Sequence, residues 1–426
     1  MDINNDLINQ ELMQFIDETP NAFSCVKNIA TRLCADGYVE LKENKSWHIE
    51  VLKKYFVVRN DSSIIAFQVS DNKNNGFNIV ATHGDSPSFS IKPGNEIIEN
   101  GYLKLNTDRY GGMIYYTWMD RPLSLAGRVI IRKNNQYFTE IIDFNRDLLV
   151  IPSQAIHLNR EINEKNNLNP QIDLLPIMAL DSKIGKLKMM LEKLFSDSEI
   201  CDYDLFLYNR NKACYCGCDN DFILAPRLDD LGCTFSALRA FLDASNDTNK
   251  MFCCFNNEEV GSLTQAGADS TFLSDVINRI CLEQDTDVYQ VISNSMLVSA
   301  DNGHAIHPNA PAKSDLTNKV ELNKGIVIKH HINYTTDALS ASIFRKICQD
   351  ANIPCQDFTC RSDLRCGATL GGISLSHVSV TAVDVGLPQL AMHSALETIG
   401  SKDVYQMYLG LKAFYRQNMS LLKSNF

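Results

Sequence analysis

The sequence lacks most of the features that assign a chain at a glance. No apolar run approaches the roughly 20 residues of a membrane-spanning helix, which excludes an integral helical membrane protein. Positive charge is not in excess: 40 Lys and Arg face 51 Asp and Glu, for a formal net charge of −11. Such a surface repels a phosphate backbone and argues against nucleic acid as a partner. The start, Met1-Asp2-Ile3-Asn4-Asn5-Asp6, has neither the basic residues nor the apolar core of a signal peptide. Fourteen cysteines in 426 residues are too thin for a disulfide scaffold and, without a leader, predict reduced thiols in a cytoplasmic protein. Internal repeats and low-complexity linkers are missing. So are H-E-x-x-H, G-x-S-x-G, a Walker loop and a G-x-G-x-x-G following a strand, the usual one-segment signatures of an enzyme.

What remains is an ordinary globular composition, 45% apolar and 21% charged, with length for two to three domain-sized units. Apolar residues recur at helical spacing over 6–17 and 22–35. A hairpin follows at 55–58 and 64–67, then a buried strand over 76–81 that delivers His83 at its end. From 93 to 221 the texture is short β-like runs broken by Asn-rich turns. From 222 the chain alternates again. Helices are predicted over 231–242, 262–280, 336–350 and 403–415, and strands over 250–255, 291–299, 326–330 and 378–385. Alternation of this kind predicts an α/β domain with a sheet between helices. The reading is therefore one discontinuous domain of 1–92 and 222–426, interrupted by a β-rich module of 93–221.

Chemistry is dispersed over five strand ends. Thr82-His83-Gly84-Asp85 offers an imidazole that can ligate a metal and a carboxylate that can orient it, or else a turn with a surface His. Arg227-Leu228-Asp229-Asp230 precedes a helix; one carboxylate fits an N-cap, and the other is left for a metal bridge. Glu258-Glu259-Val260-Gly261-Ser262 supplies two carboxylates. One could bind metal and the other could move a proton, although Glu at a helix start also suits the helix dipole. Ser299-Ala300-Asp301 leads on to His304 and His307-Pro308-Asn309, and Ala391-Met392-His393-Ser394 follows a last strand. Together these donors suffice for two metals that share one carboxylate, with a free Glu as base. Imidazole and carboxylate suit zinc and tolerate cobalt or manganese. Cys214, Cys216 and Cys218 would line one face of a strand. Their spacing is not that of paired C-x-x-C zinc knuckles, so small buried apolar side chains are the simpler reading.

At these residues the sequence resembles the M18 metallo-aminopeptidases, the aspartyl aminopeptidase and aminopeptidase I group. The likeness covers nearly the whole chain. It runs through H-x-D-S-P at 83–87, Trp118-Met119-Asp120-Arg121-Pro122-Leu123-Ser124, Gly127-Arg128-Val129, and Ile151-Pro152 to His157-Leu158-Asn159-Arg160. It continues with R-L-D at 227–229, E-E-V-G-S at 258–262, S-A-D at 299–301, H-P-N at 307–309, Gly325 to Lys329, and P-Q-L-A-M-H-S at 388–394. The resemblance implies a mixed-sheet α/β zinc-peptidase domain interrupted by a β-rich dimerisation domain. It implies one metal on His83, Asp229 and Asp301, and a second on Asp229, Glu259 and His393. Glu258 would be the general base and Asp85 the orienter of His83. His157 would reach the neighbouring subunit's site, and His304 and Lys329 would contact substrate. A tetrahedral dodecamer is the implied assembly. Asp230 stands where many members have Asn, and His330-His331-Ile332-Asn333-Tyr334 departs from members that prefer acidic substrates. The expected activity is removal of the N-terminal residue from peptides, with Asp or Glu favoured at that position. The alternatives are a related metal amidohydrolase acting on N-acyl amino acids, a non-catalytic assembly protein of the same fold, and a thiol hydrolase. No Cys sits where its pKa would be lowered, which weakens the last.

Overall fold

The computed structural model describes residues 4–71, 75–165, 167–180, 183–367 and 369–419, so Met1-Asp2-Ile3 of the acidic start lies outside the described residues. The first two helices form where the pattern places them, over Asn5–Asp17 and Ala22–Ala35. Ile8, Leu12, Phe15 and Ile16 share a buried face, and Asn4 caps the helix by accepting the Leu7 amide. Asn21 caps the second helix in the same way, through the Ser24 amide.

A nine-stranded mixed sheet organises the chain. Its order is Val39–Glu40, Lys54–Arg59, Ser63–Gln68, Asn249–Phe255, Phe77–His83, Met296–Ala300, Thr381–Gly386, Ile326–His330, Cys355–Thr359. The four strands from Asn249–Phe255 to Thr381–Gly386 run parallel to one another. Each is buried on both faces, as parallel strands between helical layers must be. Helices Asn5–Asp17, Ala22–Ala35, Leu228–Asp243, Ala338–Asp350 and Asp403–Tyr415 pack on one face. Helices Phe272–Gln284 and Val288–Asn294 pack on the other. Val80, Phe252 and Val298 point to the first layer, and Ile79, Met251 and Leu297 to the second, all at 0% exposure. Burying each such side chain contributes about 1.5–3 kcal/mol.

A six-stranded antiparallel sheet takes all its strands from Ser88 to Asn209, with its own core around Phe89, Trp118, Leu125 and Leu205. A five-stranded sheet joins Cys214–Cys216 and Phe222–Ala225 to Glu397–Gly400, Pro388–Leu390 and Gly303–His304. No helix among the described residues is long and apolar enough to cross a membrane.

Four expectations are corrected. The helix predicted over 262–280 starts only at Phe272. Asn257, Gly261 and Ser262 all have positive φ, and a Cβ on Gly267 would meet the Ser262 carbonyl at 2.0 Å, so this stretch folds as tight turns. The strand predicted over 291–299 is a helix, Val288–Asn294, followed by Met296–Ala300; the Asp287 cap decides for helix in an apolar run that periodicity leaves ambiguous. The thiols are not all reduced: Cys360 and Cys366 form a disulfide, while the other twelve are free. The two cysteines stand six positions apart in sequence, across the turn at 362–363, so local geometry brings them together. Finally, Cys214, Cys216 and Cys218 are exposed rather than buried, and neither of the two metal-capable groups found among the described residues contains a cysteine.

Candidate metal centre

The parallel strands carry the site residues to one edge of the sheet. His83 closes its strand, and Phe255 is its register partner, so the chain from Asn256 to Glu259 leaves at the same edge. Ser299 pairs with Ala81, which puts Asp301 beside them. Ligands gather at the carboxyl ends of such strands because the chain is free there to turn across the edge. Asp229 arrives from the five-stranded sheet. It and Asp230 have non-helical dihedrals between left-handed Arg227 and the regular part of the helix, and the bond joining them is cis. His393 lies beyond Pro388–Leu390 with φ 65°.

Two groups of donors converge. His83, Asp229 and Asp301 form one, and Asp229, Glu259 and His393 the other, each with ligand atoms within 4.8 Å of one another. His83 Nδ1 is 3.1 Å from the Asp85 carbonyl oxygen and 3.5 Å from the Asp85 carboxylate. His393 Nδ1 is 2.8 Å from the Gly112 carbonyl oxygen. A carbonyl only accepts, so in the neutral imidazoles the proton sits on Nδ1 and Nε2 presents its lone pair. His83 Nε2 lies 3.7 Å from Asp229 Oδ1 and 3.9 Å from Asp301 Oδ1. His393 Nε2 lies 3.5 Å from both Asp229 Oδ2 and Glu259 Oε1. These gaps are too long for hydrogen bonds. They are near the separation of about 3.3–3.6 Å between ligands bound at about 2.0–2.2 Å in a tetrahedron.

The donor set fits divalent cations by a second test. Asp229 Oδ1 and Glu259 Oε1 are buried with no hydrogen-bond partner, an unfavourable state for carboxylate oxygens unless a cation faces them. Protons compensate otherwise. Burial opposes charge on both histidines, yet Asp301 and Asp85 raise the pKa of His83, and Asp229 and Glu259 push His393 up to about 10. Burial raises Glu259 in turn, with Asp229 adding to it.

Glu258 belongs to neither group. It shares a cleft of about 290 Å³ with His83, Asp229, Asp301, His304, Lys329 and His393. Burial pushes its carboxyl up to about 7, helped by Asp301, Asp85 and Asp229 and opposed by His83. Asp85 ties the pieces together. Its Oδ2 accepts from Tyr110 at 2.6 Å and from the Glu259 amide at 3.2 Å, and its Oδ1 accepts from the Glu258 amide at 3.3 Å. Burial opposes its charge, but His83 and Tyr110 outweigh burial and lower its pKa.

Lys329 is 2% exposed, and its ammonium lies 3.3 Å from Asp301 Oδ2. His304 stands at the exposed rim of the cleft, edge-on to Phe358. His157 is not brought into the cleft. The stretch 151–176 carries no helix or strand among its described residues, and His157 is exposed there.

Sequence reasoning missed three contributors. Tyr110 and Gly112 come from the chain of the six-stranded sheet and act across the fold, so no local spacing announces them. Glu397 is buried and accepts the amides of both Asp229 and His393. Its place four residues after His393, at the end of M-H-S-x-x-E, was the available signal.

The family model described as aminopeptidase I zinc metalloprotease (M18) matches residues 15–415. A probable M18 family aminopeptidase 2 of Clostridium novyi (strain NT) is 43% identical over 422 residues, 95% of this chain and 98% of that one. The fold agrees with the cryo-EM structure of the Ape4 and Nbr1 complex at a TM-score of 0.94, 33% identity, and coverage of 99% and 88% of the two chains. It also agrees with the S. cerevisiae mApe1 dodecamer at a TM-score of 0.85 and 24% identity, covering 99% of each chain. The chain belongs to the M18 family of zinc metallo-aminopeptidases.

Proposed function

We propose that this aminopeptidase holds two divalent metal ions per subunit, one on His83, Asp229 and Asp301 and one on Asp229, Glu259 and His393. Zinc is the first choice, and cobalt or manganese could take its place. The observation that carries the reading is Asp229, whose two carboxylate oxygens face the imidazoles of the two groups separately. Ions so held supply Lewis acidity, activating water for attack and stabilising negative charge on the carbonyl oxygen of the scissile bond.

Glu258 acts as general base. It takes the proton of the attacking water and delivers it to the departing amine. Asp85 keeps His83 oriented and fixes the backbone of Glu258 and Glu259 through their amides. His304 and Lys329 contact the substrate, and the charge of Lys329 favours an N-terminal Asp or Glu. Burial opposes that charge, but Asp301 holds it in place. His157 of a neighbouring copy completes the site by donating to the oxyanion. In this reading 1–92 and 222–426 form the catalytic domain and 93–221 the dimerisation domain. The assembly is a tetrahedral dodecamer built from dimers in the cytoplasm, with neither nucleic acid nor membrane as a partner.

A panel of aminoacyl substrates with free and acetylated amino termini, assayed before and after chelation and metal return, tests the proposal. Metal-restored cleavage of free amines, fastest for Asp or Glu, supports it. Preferred cleavage of acetylated substrates would favour the N-acyl amino acid hydrolase. A clear preference for Leu or Met, unchanged in Lys329→Ala, would remove the acidic specificity.

A further inference from the structure

We infer that Glu397 is a positioning residue that sets the geometry of the Asp229, Glu259 and His393 group by holding the backbone of two of its members; the inference rests on the two-metal reading. Glu397 opens the strand Glu397–Gly400 and is the register partner of Ala225, so it sits beside the chain that leads to Asp229. It is also four residues beyond His393, and its side chain is only 2% exposed. Its Oε2 accepts the Asp229 amide at 3.0 Å and its Oε1 accepts the His393 amide at 2.7 Å. One carboxylate thus spans two ligand-bearing segments, one entering from Phe222–Ala225 and one from the loop after Pro388–Leu390.

Both segments need such a hold. His393 has a left-handed φ of 65°, and Asp229 sits in extended dihedrals ahead of a helix. The Asp229 contact is buried, so without Glu397 that amide would lack a partner away from water. Asp85 performs the matching task for Glu258 and Glu259. All three residues of the second group are therefore held at the backbone by one of two carboxylates, whereas no such contact from Glu397 reaches His83 or Asp301. Two of the three residues of the second group hang on Glu397, against Asp229 alone in the first, so weakening Glu397 should loosen the second metal position more than the first. A glutamine keeps one acceptor oxygen and turns an NH₂ donor toward the other amide, so E397Q disturbs the span at nearly constant volume.

The test is a zinc titration of the metal-free full-length protein against a chromophoric chelator, with thermal unfolding of the metal-free form and kcat and KM measured across zinc concentrations. Wild type should bind two ions per subunit. E397Q should bind the second ion about 10–100-fold more weakly, with a smaller loss at the first, so that the ratio of the two affinities widens. Its kcat should fall at limiting zinc and recover in excess zinc, with KM little changed. A glutamate that merely supports the fold would lower the metal-free melting temperature and leave the ratio of the two affinities where it was; that result overturns the inference, as do two wild-type affinities in E397Q. Should E397Q not fold, E397D, whose shorter arm cannot reach both amides, is titrated with the same expectation. Failure of both variants to fold assigns Glu397 to structure and also overturns the inference. If wild type itself binds fewer than two ions, the two-metal reading fails, and the fault is then separate from Glu397.

Discussion

Glu258→Gln separates chemistry from metal binding. The Glu258 side chain lines the cleft and belongs to neither ligand group, and its backbone is held independently by Asp85. Glutamine has nearly the same volume, so the packing and both ligand groups should survive. What disappears is the proton carrier. General acid–base catalysis is typically worth about 10²–10⁴ in rate, which at about 1.36 kcal/mol per decade is a barrier increase of about 2.7–5.4 kcal/mol. Stability should move the other way in the metal-free protein. Burial raises the folded-state pKa of Glu258 from its ordinary 4.5 to about 7, so the folded state binds more protons than the unfolded state between those values. Its contribution to stability therefore declines as pH rises from 4.5 through 7, and metal-free E258Q should melt above metal-free wild type at pH 8. The assay is kcat on an aminoacyl-p-nitroanilide with metal content read by mass spectrometry on the same sample. A variant that loses metal while each remaining site turns over at the wild-type rate would refute the reasoning and exchange the roles of Glu258 and Glu259.

Three other perturbations follow from the same geometry. Asp229→Asn should lose more metal than a change at any other ligand, because one side chain serves both groups; near-full metal content in the purified variant would count against the bridge. His157→Phe should keep its metals and its oligomer while kcat falls by about 10²–10³, the usual cost of one oxyanion donor. Mixing it with Glu258→Gln subunits should restore activity, and verified subunit exchange without recovery would exclude a role in trans. Lys250 provides a pH test far from the cleft. Its buried ammonium donates to the Phe241 and Ala244 carbonyls, and burial lowers its pKa from 10.5 to about 8. The unfolded state then binds more protons between pH 8 and 10.5, so stability relative to Lys250→Met should rise across that window, by at most about 3 kcal/mol. A flat difference in melting temperature between the two proteins would remove the effect.

The sequence alone determined the elements whose pattern is local and the residue types whose chemistry is specific. Helices over 5–17, 22–35, 338–350 and 403–415 follow from apolar spacing, and the Ile64-Ile65 hairpin from a polar turn between apolar runs. His83, Asp229, the Glu258-Glu259 pair, Asp301 and His393 were legible because each ends an apolar run with a metal-competent side chain, and because their ordered motifs resemble one family. Tertiary structure decided the rest. Turn and helix share the same apolar residues over 262–280 until Gly267 meets the Ser262 carbonyl. The exposure of the three thiols depends on Cys214 and Cys216 lying on a strand at the edge of a sheet and Cys218 in the turn that follows it. That Lys329 faces Asp301, that Gly112 orients His393, and that Glu397 holds two ligand segments are facts about chain segments up to 281 residues apart. No spacing rule encodes such contacts, because they exist only once three sheets have brought the segments to one edge.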